Sequence, residues 1–342
     1  MRKLFIVLSL FLLMPVFVHA QEKKDTLYSV AFYNMENLFD TIHDVGKDDY
    51  EYLPDGKSKW DGVKYEAKLK NMSKVLSILS TDKLPMGPAI IGVSEVENRR
   101  VLNDLLKQPA LAKRGYEIIH YEGPDKRGID CAFLYNPKLF HLQASKLAPY
   151  VYINDTIHKT RGFLIASGYL ADEHVDVIVN HWPSRGAASP ARERAGEQVR
   201  ILKDSLLRED PAAKIIIMGD MNDDPMDKSM SVSLGAKREV SEVGEHDLYN
   251  PWWNLLVKKG VGSLEYRGKW NLFDQIVFTG NLLGDDKSTL KFYHNEVFMR
   301  DFMFQQEGPY KGYPLRTQAG SVWLNGYSDH LPTIVYLIKE AK

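Results

Sequence analysis

Short apolar runs separated by polar clusters recur along the whole chain, and each has the length of a buried β-strand. They cover Tyr28 to Tyr33, Ala89 to Val93, Cys131 to Tyr135, Val175 to Val179, Lys214 to Met218, Phe273 to Phe278 and Thr333 to Leu337. Between them, Leu69, Met72, Leu76 and Leu79, and then Val101, Leu102, Leu105 and Leu106, recur at helical spacing and give one apolar face each. Ser189 and Pro190 read as a cap and a first-turn proline, predicting a helix through Arg200 toward Leu207. The stretch Pro225 to Gly268 is irregular, rich in glycine, acids and tryptophan, and reads as an elaborated loop region. No repeat or long linker breaks the alternation, which predicts one α/β domain over residues 25–342.

Ahead of that domain, Arg2 and Lys3, the apolar run Leu4 to Val18 and the small-residue ending at Ala20 have the order of a secretory signal peptide, residues 1–20. The run is shorter than the roughly 20 residues that span a bilayer, and polar sequence follows at once, which disfavours an anchor. The single cysteine, Cys131, lies far from Ala20, so it offers neither a lipid attachment point there nor an internal disulfide. A periplasmic or extracellular destination and a bacterial source are the expectation. With 342 residues and 44% hydrophobic content, the chain can bury a sizeable core. Loss of Arg2 and Lys3, and of no acid, would take the formal charge from −1 to −3. That balance gives no basic excess for tight non-specific binding to nucleic acid, although a local basic groove stays compatible with it.

The chemistry sits where the strands end. "VAFYNMEN" ends in Asn34 and Glu36, "AIIGVSEVEN" in Glu95 and Glu97, "DVIVNHWPSR" in Asn180, His181 and Arg185. "KIIIMGDMNDDP" delivers Asp220, Asn222, Asp223 and Asp224, "NLFDQIVF" carries Asp274, and "GYSDHLPTIV" carries Asp329 and His330. In an open α/β sheet, ligands gather at strand ends. Each residue alone also fits a structural role: Asn34 as a turn residue, Glu95 as a first-turn acid, His181 as a core histidine, Asp329 as a cap. Their coincidence points to a hard-oxygen site. Carboxylate and amide oxygens suit Mg²⁺ or Mn²⁺, and such an ion suits phosphate chemistry.

Taken together, "NMEN", "SEVEN", "NHWPSR", "GDMNDDP", "FDQI" and "SDH", in that order, resemble the endonuclease/exonuclease/phosphatase superfamily of DNase I-like proteins. The resemblance runs from Asn34 to His330. It implies a four-layered α/β sandwich of two packed mixed sheets flanked by helices. It also implies that Asn34, Glu95 and Asp329 sit at the metal, with Glu95 the main carboxylate ligand. His330 would be held by Asp274 to activate or position the attacking water. Asp220 and Asn222 would orient the nucleophile and bind the scissile phosphate, and His181 would be a phosphate donor or general acid. The resemblance further makes Asp130 the candidate acid orienting His181, and Arg127 and Arg185 candidate phosphate contacts. Asp130 also fits a loop acid and Arg127 a solvated charge. Arg192 and Arg194 read as a helix face, Glu97 and Asn98 as first-turn acid and cap, and Asp223 and Asp224 as turn formers. Trp252, Trp253 and Trp270 read as core or loop anchors rather than base-stacking groups.

The reading that follows is a secreted, divalent-metal-dependent phosphodiesterase that cleaves DNA or RNA by in-line attack of water. A second is the same chemistry on a phospholipid, sugar phosphate or inositol phosphate, for which "NPWWNLL" would be the candidate membrane loop. A third, of another class, is a non-catalytic exported binding protein. The complete set of acids and both histidines speaks against the third, and no stretch points to a stable protein partner.

Overall fold

The run Lys214 to Met218 is apolar at every position after the lysine because both of its faces are covered. Ile216 and Met218 join the main core, while Ile215 and Ile217 join a second cluster with Ala195 and Val199 of the helix Ser189–Glu209. Continuous apolar strands of this kind mark a sheet buried on both sides. Burying each such side chain contributes roughly 1.5–3 kcal/mol. Lys214 itself reaches Glu173, at 2.6 Å.

The computed structural model describes residues 24–153 and 157–341, so the signal peptide expected over residues 1–20 lies outside the described residues. Two mixed sheets carry the fold. The first orders the strands Lys291–Val297, Thr333–Glu340, Asp25–Leu38, Ile90–Val96, Asp130–Tyr135 and Glu117–His120. The second orders Phe140–Ala148, Phe163–Leu170, Glu173–His181, Lys214–Asp220, Asp274–Thr279, Leu248–Tyr249 and Ala236–Lys237. They pack face to face over one core that holds Val30, Phe32, Ile91, Val177, Met218 and Ile276. Where Gly92 faces Met218, a Cβ would lie 2.5 Å from the sulfur, so the glycine lets the two sheets approach.

Helices form the outer layers. Asp61 caps Gly62–Ile78 by accepting from the Lys64 amide at 3.0 Å, and Asn98 caps Arg99–Lys107 by accepting from Val101 at 3.1 Å. Leu69, Met72, Leu76, Val101, Leu102 and Leu105 are buried, as the helical spacing predicts. The third helix begins at Ser189 with proline in its first turn, but Ala188 occupies the cap position and offers no side-chain bond. Glu97 is not a first-turn acid: it precedes the cap and accepts from the Asp40 amide at 2.7 Å.

All seven predicted strands are present, and Pro225 to Gly268 holds only short pieces. Four longer strands carry no clear apolar run. Glu117–His120, Phe140–Ala148 and Lys291–Val297 lie at sheet edges, where one side meets solvent and polar residues are tolerated. The fourth, Phe163–Leu170, is interrupted by Ser167 and by Gly168, where a Cβ would lie 2.5 Å from the His141 carbonyl oxygen.

Candidate active site

Sheet register brings the polar clusters together. His181 pairs with Asp220 in the parallel ladder, and Asp274 pairs with Asp220 in the antiparallel one, so the three lie abreast at one end of the second sheet. In the first sheet, Asn34 lies opposite Ser94, beside Glu95. His330 stands three residues before Thr333, whose strand pairs with Asp25–Leu38 and so ends at the same rim. Gly219 is needed just before Asp220, because a Cβ there would lie 2.3 Å from the Asn180 carbonyl oxygen. Glu95 and Asn222 adopt left-handed backbone conformations, with φ of 58° and 52°. Non-glycine residues seldom do so, and such strain clusters at functional sites.

His330 donates from Nδ1 to Asp274 Oδ2 at 2.7 Å, and the Ser263 hydroxyl donates to the same oxygen at 2.5 Å. Burial alone would lower the proton affinity of His330, but the Asp274 and Asp220 carboxylates overcome it and hold the pKa well above the usual imidazole range. Asp220 is buried, and its pKa is pushed up to about 7 by burial; His330 opposes the rise and Asp274 adds to it. The Asn222 amide donates to Asp220 Oδ1 at 2.9 Å. His181 differs from His330: burial, the Arg161 and Arg127 guanidiniums and His330 hold its pKa well below the usual range. Its Nε2 lies 3.6 Å from Glu95 Oε1 and 3.8 Å from Asp220 Oδ2, and its Nδ1 has no hydrogen-bond partner.

Several sequence expectations are redrawn. Asn34 turns its nitrogen, not its oxygen, to the acids, donating to Asp220 at 3.0 Å and Glu95 at 3.3 Å while its oxygen accepts from the Glu36 amide. The Glu36 N–H fixes that orientation, so Asn34 aligns the two carboxylates and offers no ligand oxygen. Asp130 does not orient His181; both its oxygens accept from the Gly123 amide, at 3.0 and 3.1 Å. Arg185 is no free phosphate contact. Its guanidinium donates to the Asn222 carbonyl and to Asp227, and lies over Phe273. Arg192 is not a solvated face either: it is buried and pairs with Asp223 at 2.8 Å. Asp223 also accepts from Ser229, and Asp224 accepts from Leu272. Arg127 is exposed, and its charge reaches His181. The Asn222 side-chain amide donates to the Trp182 carbonyl at 3.1 Å. Trp252 is fully buried in the core.

Sequence reasoning missed the frame behind Asp329. Arg316 bridges Asp329 Oδ2 and Glu36 Oε1, both at 2.9 Å. Burial and then Asp329 push the Glu36 pKa up to about 7, against the pull of Lys68 and Arg316. Fully buried Lys68 donates to Thr317 and to the Tyr327 carbonyl, and burial pulls its pKa down to about 8. Ser328 was missed too; its hydroxyl donates to the Asn34 carbonyl at 2.8 Å and accepts from the His330 amide. No spacing marks these residues, because they meet only after the C-terminal loops fold back.

Two groups sharing Asp220 could hold an ion: Glu95, His181 and Asp220, and Asp220, Asp274 and His330. In the first, carboxylate oxygens from two strands converge with an imidazole kept neutral by burial, a donor set that fits a divalent cation. Asp274 already receives His330 and Ser263 on one oxygen, so the first group is the better fit.

A family model described as Endonuclease/Exonuclease/phosphatase family matches residues 29–339. No curated protein sequence matches the chain. Solved structures share the fold at low identity. An endonuclease/exonuclease/phosphatase family protein from Bacteroides thetaiotaomicron aligns with TM-score 0.56 and 16% identity, over 93% of this chain and 100% of that one. D. rerio TDP2 complexed with single strand DNA product gives 0.54 and 13%, over 91% and 99%. ANGEL2, a 2',3'-cyclic phosphatase, gives 0.58 and 13%, over 93% and 96%.

Proposed function

This chain belongs to the endonuclease/exonuclease/phosphatase family of phosphate-ester hydrolases, and from that premise we propose that it is a divalent-metal-dependent phosphodiesterase acting on nucleic acid. The observation that carries the substrate class is a cavity of about 570 Å³ beside Asp329 and Arg316, lined by Tyr266, Tyr310, Tyr313 and Arg267. Tyr310 and Tyr313 meet edge to face at 5.5 Å, and the Arg267 guanidinium lies 5.2 Å from the Tyr266 ring. Tyrosine faces beside a cationic group suit a nucleobase attached to a phosphate, each stacked base being worth about 1–3 kcal/mol. A fold neighbour, D. rerio TDP2, is complexed with single strand DNA product, which agrees with this reading.

Glu95 and Asp220 would hold the ion through their carboxylate oxygens, and Mg²⁺ or Mn²⁺ is the class that such oxygens favour. Such an ion would neutralise non-bridging phosphate oxygens and charge developing on the leaving oxygen. The protein's own groups do the rest. Asp220, whose Oδ1 accepts from the Asn222 amide, would orient the attacking water beside the ion. His330, kept charged by Asp274, donates a hydrogen bond to the phosphate as negative charge builds. His181, whose pKa lies well below the usual range, would donate a hydrogen bond to the phosphate, one of the two roles the resemblance implies for it. Asn34 and Asn222 hold the two carboxylates in place.

The proposal includes export through residues 1–20 and a catalytic unit over residues 25–342; a mature N-terminus other than Gln21 on the exported protein would reject the cleavage site. The substrate test is a panel of single-stranded DNA, RNA, a 2',3'-cyclic nucleotide, sphingomyelin and an inositol phosphate, each with Mg²⁺ or Mn²⁺. Cleavage of DNA or RNA that weakens in Tyr310→Ala is the expected result. Turnover of the lipid or inositol phosphate alone would transfer the enzyme to the second substrate class.

A further inference from the structure

A second cluster lies on the first sheet, built from groups the proposed chemistry does not use. His120 ends the edge strand Glu117–His120, and Asp130 opens its neighbour Asp130–Tyr135, with Glu122 in the loop between them. One ligand atom from each lies within 4.8 Å of the others. The His120 side chain is 2% exposed, yet its Nε2 has no hydrogen-bond partner. A buried imidazole nitrogen left unpaired costs about 1–3 kcal/mol, so its environment calls for a partner.

The geometry around that nitrogen says what the partner is. Asp130 Oδ2 stands 3.4 Å from His120 Nε2; Glu122 Oε1 stands 3.8 Å from the other ring nitrogen, Nδ1, and would have to turn to reach an ion on Nε2. Two ligands on a tetrahedral ion with bonds of about 2.1 Å are about 3.4 Å apart. Asp130 is held in place by the Gly123 amide on both oxygens, as outer-shell donors hold a metal-bound carboxylate. Lys47 does not compete, because its Nζ donates to the carbonyls of Gly123 and Asp125 at 2.7 and 3.1 Å. Glu122 is half exposed, and a rotation of its side chain would bring an oxygen to the ion.

We propose that His120, Asp130 and Glu122 form an accessory site for a borderline divalent ion of the Zn²⁺ class, with the fourth position left to water. One imidazole and two carboxylates suit zinc better than magnesium, which dehydrates reluctantly and prefers oxygen alone. The ion would tie the two strands to the loop between them. That loop carries Arg127, whose charge acts on His181, so occupancy would steady a cation at the rim of the active site.

Zn²⁺ titrated calorimetrically in excess Mg²⁺ tests this, on wild type, His120→Gln, Glu122→Gln and Glu95→Gln, each checked for folding by circular dichroism. One Zn²⁺ per chain should bind wild type and Glu95→Gln alike, and about tenfold or more weaker to His120→Gln. Glu122→Gln, at an exposed position that does not threaten the fold, should also bind more weakly. Zn²⁺ should slow tryptic cleavage after Lys126 and Arg127 in wild type but not in His120→Gln. Equal affinity in wild type and both cluster variants overturns the proposal. So does Zn²⁺ binding lost in Glu95→Gln, which would place the ion in the catalytic centre, or no Zn²⁺ binding at all.

Discussion

Asp274→Asn separates the chemistry of the site from its stability. Asp274 is fully buried, its Oδ2 receives His330 and Ser263, and its Oδ1 has no partner. Asparagine keeps the shape and one acceptor but removes the charge that most raises the His330 pKa. Burial then acts unopposed by its main counterweight, and the imidazolium loses its proton at a lower pH. Wild-type His330, with its pKa raised on folding, stabilises the native state most below about pH 6.5, and that contribution fades as pH rises through the folded value. In the variant the fading begins earlier. If the charged imidazole is the phosphate's donor, kcat should fall by about 10²–10⁴-fold. The basic limb of the kcat/KM profile should move to lower pH. Fold stability should change little, because a buried charge and its partner's charge are lost together. Initial rates on a dinucleotide substrate across pH 5–9, with NMR titration of the His330 ring, read both quantities; rates within tenfold of wild type, or an unmoved basic limb, would refute the reasoning.

Other outcomes follow from the same groups. Glu97 is pushed up to about 9 by burial and by Asp40, Asp44 and Asp49, against the Asp40 amide bond. It keeps its proton on folding while the unfolded chain releases it above about pH 4.3, so its contribution declines as pH rises toward 9. Glu97→Gln should therefore flatten the stability profile and add roughly 2–3 kcal/mol at pH 7 in urea unfolding; a parallel wild-type slope would count against it. Arg192→Met should cost about 3 kcal/mol by leaving buried Asp223 with only Ser229 and the half-exposed Arg185, whereas Arg185→Ala should cost about 1 kcal/mol or less. Equal losses in thermal denaturation would undo that distinction. Gly219→Ala should destabilise by about 1–3 kcal/mol and displace Asp220, lowering kcat as well; an unaffected rate would mean the close approach to Asn180 is not needed.

Much of the fold is legible in the chain because interior strands are covered on two faces. Ile215 to Met218 must all be apolar, and a run of that kind stands out. Edge strands such as Phe140–Ala148 show a mixed pattern that fades into loop. The site divides in the same way. Residues at the ends of interior strands, Glu95, His181, Asp220 and Asp274, inherit their positions from visible runs and meet in register. Residues whose partners arrive from distant loops do not. Nothing in "NMEN" announces that Glu36 meets Arg316, or that the Asn34 oxygen is taken by a backbone amide two residues on. Arg185 and Asp130 reflect the same gap: charge in a sequence shows that a partner is needed, but only the folded chain shows whether the protein itself supplies it.

The central claim is that Glu95, Asp220 and His330 form one metal-dependent phosphodiesterase site. The most direct test is the turnover of bis-p-nitrophenyl phosphate by purified protein with Mg²⁺, with Mn²⁺ and with EDTA, for wild type, Glu95→Gln and His330→Gln. Metal-dependent release of p-nitrophenol that EDTA abolishes, and that falls by about 10²-fold or more in each folded variant, is the expected result. Turnover that persists in EDTA, or that both variants retain at the wild-type rate, would contradict the account.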